Sequence, residues 1–170
     1  MNTASIAVYL SLGSNLGNRH HNLKQALKML AQQVRIVRQS SIYDTAPQDN
    51  LAQPRFLNMV IHAETAAPPG YLLRLVKDIE VNLGRRDGPA NSPRPIDIDI
   101  LFYSNIIWQS PDLVIFHPRL TLRSFVLIPL AEIAPLLKHP VTQERVQDML
   151  QKLSLKEQEI YKMREEDTDV

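Results

Sequence analysis

Ile96-Asp97-Ile98-Asp99-Ile100-Leu101-Phe102-Tyr103 is the stretch of this chain that decides its architecture. Isoleucine and aspartate alternate with a period of two, which no helix can use but a strand half-sunk in a core can. The isoleucines point one way and both carboxylates the other, about 6.6 Å apart along the strand. Upstream, Pro68 and Pro69 open a helix whose Leu72, Val76, Ile79 and Leu83 share a face, and Gly84 stops it. The loop Arg85–Pro95, rich in proline and arginine, joins that helix to the strand.

Further back the pattern repeats. Ile6–Leu12 reads as a short apolar strand, and Asn18 then caps a helix carrying Leu23, Ala26, Leu27 and Leu30 at helical spacing. Val34–Tyr43, with its β-branched residues, reads as one strand. Phe56–Glu64 reads as another, with Leu57, Met59, Ile61 and Ala63 on one side. The intervening Asp44–Arg55 is polar and proline-containing, a loop long enough to cover a ligand and expected, like Arg85–Pro95, to order only when ligands bind. The order βαββαβ is that of an α+β, ferredoxin-like sandwich with an antiparallel sheet. Beyond Ser104 an appendage of a C-terminal hairpin and helices is expected: the hairpin from Ile106–Trp108 and Leu113–Ile115, and the last helix marked by Val146, Met149, Leu150 and Leu153. The working division is a domain over 1–155 and a charged C-terminal tail, 156–170, expected to fray.

The 170 residues, 44% hydrophobic and 22% charged, suffice for one domain with its own core. The chain has no cysteine, which excludes disulfide scaffolds, thiolate metal sites and thiol nucleophiles and fits a cytoplasmic protein. Neither a signal peptide nor a run of ~20 apolar residues is present, so no membrane partner is expected. The net charge is +1, and the tail holds three basic and six acidic residues, which leaves the body at about +4. With aromatics at only 6%, that is no nucleic-acid footprint. Arg85, Arg86, Arg94, Arg119 and Arg123 crowd into one region, and planar guanidiniums suit the oxygens of a small anionic ligand. Oligomeric state is not legible, and a monomer is the default.

Asp97 and Asp99 admit two readings. Either their face is merely solvated, or the carboxylates hold Mg²⁺ while the neighbouring arginines hold phosphate. The usual phosphate loops are missing, and Gly13-Ser14 lies too far from the paired aspartates for a nucleotidyltransferase site. His117, alone among five histidines, sits among the arginines, though by itself it reads as a surface residue. Phe56 and Asn58 share a face opposite Leu57 and Met59, where a ring and an amide could grip a flat heterocycle or form an ordinary strand face.

Taken together, YLSLGSNLGNR (9–19), SSIYDTAPQ (40–48), QPRFLNMVI (53–61), IEVNLGR (79–85), PRPIDIDILFY (93–103) and FHPRLTLRSFVLIPLAEIAP (116–135) closely resemble the 6-hydroxymethyl-7,8-dihydropterin pyrophosphokinases of folate biosynthesis. Arg94–Asp99 meets that family's most specific motif. The resemblance implies transfer of pyrophosphate from ATP to the pterin, with two Mg²⁺ ions on Asp97 and Asp99. It implies a pterin pocket of Thr45, Phe56, Asn58 and Phe125, and a nucleotide site of Glu80, Arg85, Arg86, Arg94, His117 and Arg123. Asp97, Asp99, Arg94 and Arg86 would be the catalytic set, with the mobile-loop role open between Arg85 and Arg86. The chain departs from many members at Asn91-Ser92, where they carry Trp-Gly, and at Asp112, where some carry arginine. A ligand-binding module of the same fold without turnover is the competing class.

Overall fold

The computed structural model describes residues 4–48, 50–153, 159–164 and 167. Its main sheet runs β5 (Asp97–Tyr103), β1 (Ile6–Ser14), β4 (Phe56–Thr65), β3 (Tyr43–Thr45), β8 (Ile160–Lys162), and β2 (Arg35–Gln39) also pairs with β4. Every pairing is antiparallel. Helices α1 (Arg19–Leu30) and α2 (Pro69–Asn82) cover one face. The core there includes Leu10, Leu12, Leu23, Leu57, Met59, Ile61, Val76, Ile79, Ile98 and Ile100, so the alternation in β5 and β4 places the isoleucines and leucines inside, as the period of two requires. Asn18 caps α1, its side chain accepting from the His21 N–H at 2.9 Å.

The structure corrects three expectations. Val34–Tyr43 is not one strand: β2 ends at Gln39, Ser40–Ile42 breaks the run, and β3 starts at Tyr43. The residues after Ser104 are not an appendage. Besides the small hairpin β6 (Trp108–Gln109) and β7 (Val114–Ile115), they supply α3 (Ser124–Ile133) and α4 (Val146–Lys152). Those helices cover the other face of the sheet, and Val60, Leu101, Phe102, Phe116, Val126, Leu127 and Leu130 form a second core. The fold is therefore helix, sheet, helix. Within the tail, Ile160–Lys162 is a strand of the main sheet, while 154–158, 165–166 and 168–170 lie outside the described residues.

A bulge makes the second core possible. Pairing with β1 jumps from Tyr9–Phe102 to Leu10–Ile100, which leaves Leu101 unopposed. One extra residue turns Leu101 and Phe102 both to the α3 side and returns Tyr103 to the first core. Towards the opposite end of the sheet, this second face carries Asp97, Asp99, Asn58 and Phe56, and the cleft opens there beside the start of α3.

Candidate active site

Register builds the floor of the cleft. Asp97 lies opposite Gly13, Gly13 opposite Asn58, and Asp99 opposite Ser11. With strands about 4.8 Å apart, the backbones bearing the Asp97 carboxylate and the Asn58 amide are roughly 10 Å apart across β1. Gly13 must stay small between them, because a Cβ there would fall 2.5 Å from Asn58 Oδ1. Asn58 is 4% exposed and donates from Nδ2 to Thr45 Oγ1 at 2.7 Å, which fixes the orientation of its amide.

The cleft, of about 270 Å³, brings together Thr45, Phe56, Asn58 and Phe125 at one end with Asp97 and Asp99 on its floor. Arg85, Arg94, His117 and Arg123 also line it. Arg94 sits 5.6 Å over the Phe56 ring and Arg123 5.5 Å over Phe125, so each guanidinium is seated by an aromatic face. Two residues stand elsewhere. Glu80 is 2% exposed and does not line the cleft: its Oε1 accepts from the Ile98 N–H at 2.8 Å and forms an ion pair with Arg85 Nη1 at 2.9 Å. Arg86 lines a separate cavity formed by the 84–95 loop and Leu16.

The C-terminus of α2 explains why Arg85, rather than Arg86, reaches the carboxylates. Gly84, at φ +98°, donates to Val81 O and Arg85 N donates to Glu80 O, the paired bonds of a Schellman turn. That turn folds Arg85 back so that Nη1 meets Asp97 Oδ1 at 2.5 Å. Arg94 Nε lies 3.5 Å from Asp97 Oδ2. Asp99 has burial against it first and the Asp97 charge second, and is pushed up to about 6. Burial also raises Glu80, against the pull of Lys77 and Arg85.

His117 is held down to about 4 by burial, then by Arg123 and Arg119, so it is neutral at pH 7. Its Nδ1 accepts from the Arg119 N–H at 3.2 Å, which places the ring proton on Nε2, 3.4 Å from Arg123 Nη1. With that proton on Nε2, the ring and the Arg123 guanidinium are neighbouring donors on the wall of the cleft.

The donor set fits magnesium. Asp97 and Asp99 offer hard oxygens on one face, and among the described residues no group of three or more His, Cys, Asp or Glu could cage an ion, so its other ligands must come from substrate and water. The sequence reading missed Lys77, which lines the cleft and reaches Glu80 Oε2 at 3.1 Å; its spacing one turn before Glu80 was the available signal. It also missed Asn15. Asn15 is 2% exposed and donates from Nδ2 to Gln53 Oε1 (3.0 Å) and Pro54 O (3.2 Å), while its Oδ1 accepts from the Arg94 N–H at 2.8 Å.

The model of the 7,8-dihydro-6-hydroxymethylpterin-pyrophosphokinase (HPPK) family matches residues 9–135. The chain belongs to the HPPK family. Among similar proteins is the mitochondrial folate synthesis bifunctional protein of Pisum sativum, 45% identical over 127 residues, which are 74% of this chain and 25% of the relative. Another is the folic acid synthesis protein fol1 of Schizosaccharomyces pombe, 39% identical over 153 residues, 89% of this chain and 21% of the relative. This HPPK chain thus spans about a quarter of the length of the first curated relatives it matches. A solved structure of Plasmodium falciparum HPPK-DHPS A437G with SDX-DHP superposes with a TM-score of 0.73 at 18% identity, covering 88% of this chain and 45% of that one, which establishes the shared α+β fold. No helix among the described residues is long and apolar enough to cross a membrane.

Proposed function

We propose that this HPPK chain moves the β,γ-pyrophosphate of ATP onto the hydroxymethyl oxygen of 6-hydroxymethyl-7,8-dihydropterin, releasing AMP and the pterin diphosphate, as a step of folate biosynthesis. What carries the reading is that the amide-lined aromatic end and the carboxylate pair occupy one cleft, on one sheet face, two strands apart. Phe56 and Phe125 take the flat pterin between them, and Asn58, held by Thr45, reads its amide edge. The hydroxymethyl oxygen bonds to the β-phosphorus as the bond from that phosphorus to the α-phosphate oxygen breaks; the hydroxyl proton is released and the electron pair leaves with AMP.

Such a transfer asks the protein mainly for position and charge. Asp97 and Asp99 would hold magnesium, which neutralises the triphosphate and polarises its β-phosphorus, and their oxygens suffice to be shared between two ions. Arg94 and Arg123 take up the charge that develops toward AMP, and neutral His117 donates from Nε2 to a phosphate oxygen without adding charge. Arg85 and Lys77 supply further positive charge at the same end, and Glu80 orients Arg85 and the β5 backbone from behind. The absence of cysteine supports a cytoplasmic setting, although the pea relative is named mitochondrial.

Incubation with Mg-ATP and the hydroxymethyl-dihydropterin, followed by ³¹P NMR, should give AMP and a pterin diphosphate in equal amounts, and EDTA should stop it. ADP or free pyrophosphate as the nucleotide-derived product, or binding with no turnover, overturns the reading.

A further inference from the structure

The three-residue strand β3 carries Thr45, the partner that orients Asn58, yet a strand so short has little hold of its own. One edge of β3 pairs with β4. The other pairs with β8, a segment beyond the 9–135 span that the family model matches, in the register Tyr43–Lys162, Asp44–Tyr161, Thr45–Ile160. The ladder runs on past Thr45, where the Ala46 N–H donates to Glu159 O at 3.1 Å. The same end of the tail therefore fixes the first residue of the loop over the cleft.

A single guanidinium locks this arrangement. Arg55, next in sequence to Phe56, donates from Nη1 to Glu159 Oε2 at 2.9 Å and from Nη2 to Glu159 O at 3.0 Å. Its Nε bonds Asp44 on β3, and its guanidinium lies 5.4 Å over the ring of Tyr161. Arg19 closes the set from α1, reaching Asp44 Oδ2 at 3.2 Å and Arg55 O at 2.9 Å. Glu159 and Ile160 also wall a cavity of about 210 Å³ that shares Thr45, Ala46 and Phe125 with the main cleft. The charged groups are partly exposed, with the Glu159 side chain 66% accessible, so the ion pair gives direction more than energy and the backbone ladder gives the hold.

We infer that the C-terminal strand is a positioning element of the pterin site: through its ladder with β3 and the Glu159–Arg55 contact it sets Thr45 and Phe56, and through Thr45 the amide of Asn58. This rests on the reading that the Thr45–Asn58 end takes the pterin. In the sheet order β5 and β8 stand at opposite edges with β1, β4 and β3 between them, so the carboxylate-bearing nucleotide end lies away from the tail strand.

The test is calorimetry of 6-hydroxymethyl-7,8-dihydropterin binding with Mg²⁺ and α,β-methylene-ATP present, alongside titration of the nucleotide analogue alone. The wild type, Glu159→Ala and a chain ended after Leu153 are compared, with steady-state KM values for both substrates. Glu159→Ala should weaken the pterin about two- to fivefold. Truncation should weaken it roughly tenfold or more, because a whole ladder is lost. Nucleotide affinity and the KM for ATP should stay within about twofold in both, since the metal end is untouched. If the shortened chain does not fold, Glu159→Ala decides alone. Pterin affinity unchanged in the variants overturns the inference, as does a parallel loss of both ligands with a lower melting temperature, which is the mark of a merely structural strand. Absence of pterin binding by the wild type is a different failure and overturns the proposed function itself.

Discussion

Asp99 and His117 oppose each other in their pH dependence. Asp99 moves from 3.8 to about 6, so the unfolded chain loses this proton first, and stability falls as pH rises from about 4 to 6 and stays lost above. His117 moves from 6.5 to about 4, so the unfolded chain gains this proton first, and its stability, full above 6.5, is lost as pH falls toward 4. In the metal-free protein the two slopes offset each other, and a single substitution should uncover either. Asp99→Asn, in chelator, should unfold at higher urea than wild type at pH 8 and lose that advantage toward pH 4.5, while its activity is almost abolished. His117→Gln should gain on wild type in the other direction, below pH 6.5. A pH-independent difference for either variant would contradict the corresponding shift. Gly13→Ala tests geometry instead of charge: the added Cβ meets the Asn58 amide oxygen, so pterin affinity should fall by about five- to 150-fold, the equivalent of ~1–3 kcal/mol for displaced buried partners, with nucleotide binding in calorimetry nearly unchanged.

At the scale of elements, what was legible followed from period and punctuation. The alternation in Asp97–Tyr103 placed both carboxylates on one face, and Pro69 and Gly84 bracketed α2. Helix α3 escaped because Ser124–Ile133 is apolar nearly all round and contains Pro129, so neither amphipathic spacing nor helix propensity marks it. The Leu101 bulge and the Glu80 carboxylate beneath the Ile98 N–H depend on partners far along the chain, which no local pattern encodes. The same holds for β8, whose three residues Ile160–Lys162 are too short a run to read as a strand alone and pair along the edge that β3 offers. Gly84 was legible as a stop but not as the device that aims Arg85. Replacing it with alanine forces a side chain into the left-handed region at a cost of ~1 kcal/mol and loosens the turn. We expect Gly84→Ala to lower the melting temperature by a few degrees and to raise the KM for ATP more than that for the pterin. An equal rise in both KM values would mean that Arg85 does not depend on the turn.

Across the whole molecule, the cleft lies between two loops that belong to different halves of the βαββαβ order, and Asn15 at the end of β1 joins them. Its Nδ2 serves the 46–55 loop through Gln53 and Pro54, whereas its Oδ1 and its own N–H serve Arg94 at the end of the 85–95 loop. The division of labour between two atoms of one carboxamide makes the coupling separable. Asn15→Ala removes both sets of side-chain bonds and leaves the part-buried Arg94 N–H and Pro54 O without them, at a cost of ~0.5–1.5 kcal/mol for each bond. Hydrogen exchange should then quicken in both loops together, and the KM values for ATP and pterin should both rise. Asn15→Asp keeps an oxygen for the Arg94 N–H but loses the donor to Gln53 and Pro54, so only the 46–55 loop should exchange faster, and the pterin KM should rise well above the ATP KM. The aspartate also adds a negative charge near Arg94, which strengthens that retained bond. If Asn15→Asp loosened the 85–95 loop, or left the 46–55 loop as protected as in wild type, the two loops would be held by contacts other than this one side chain.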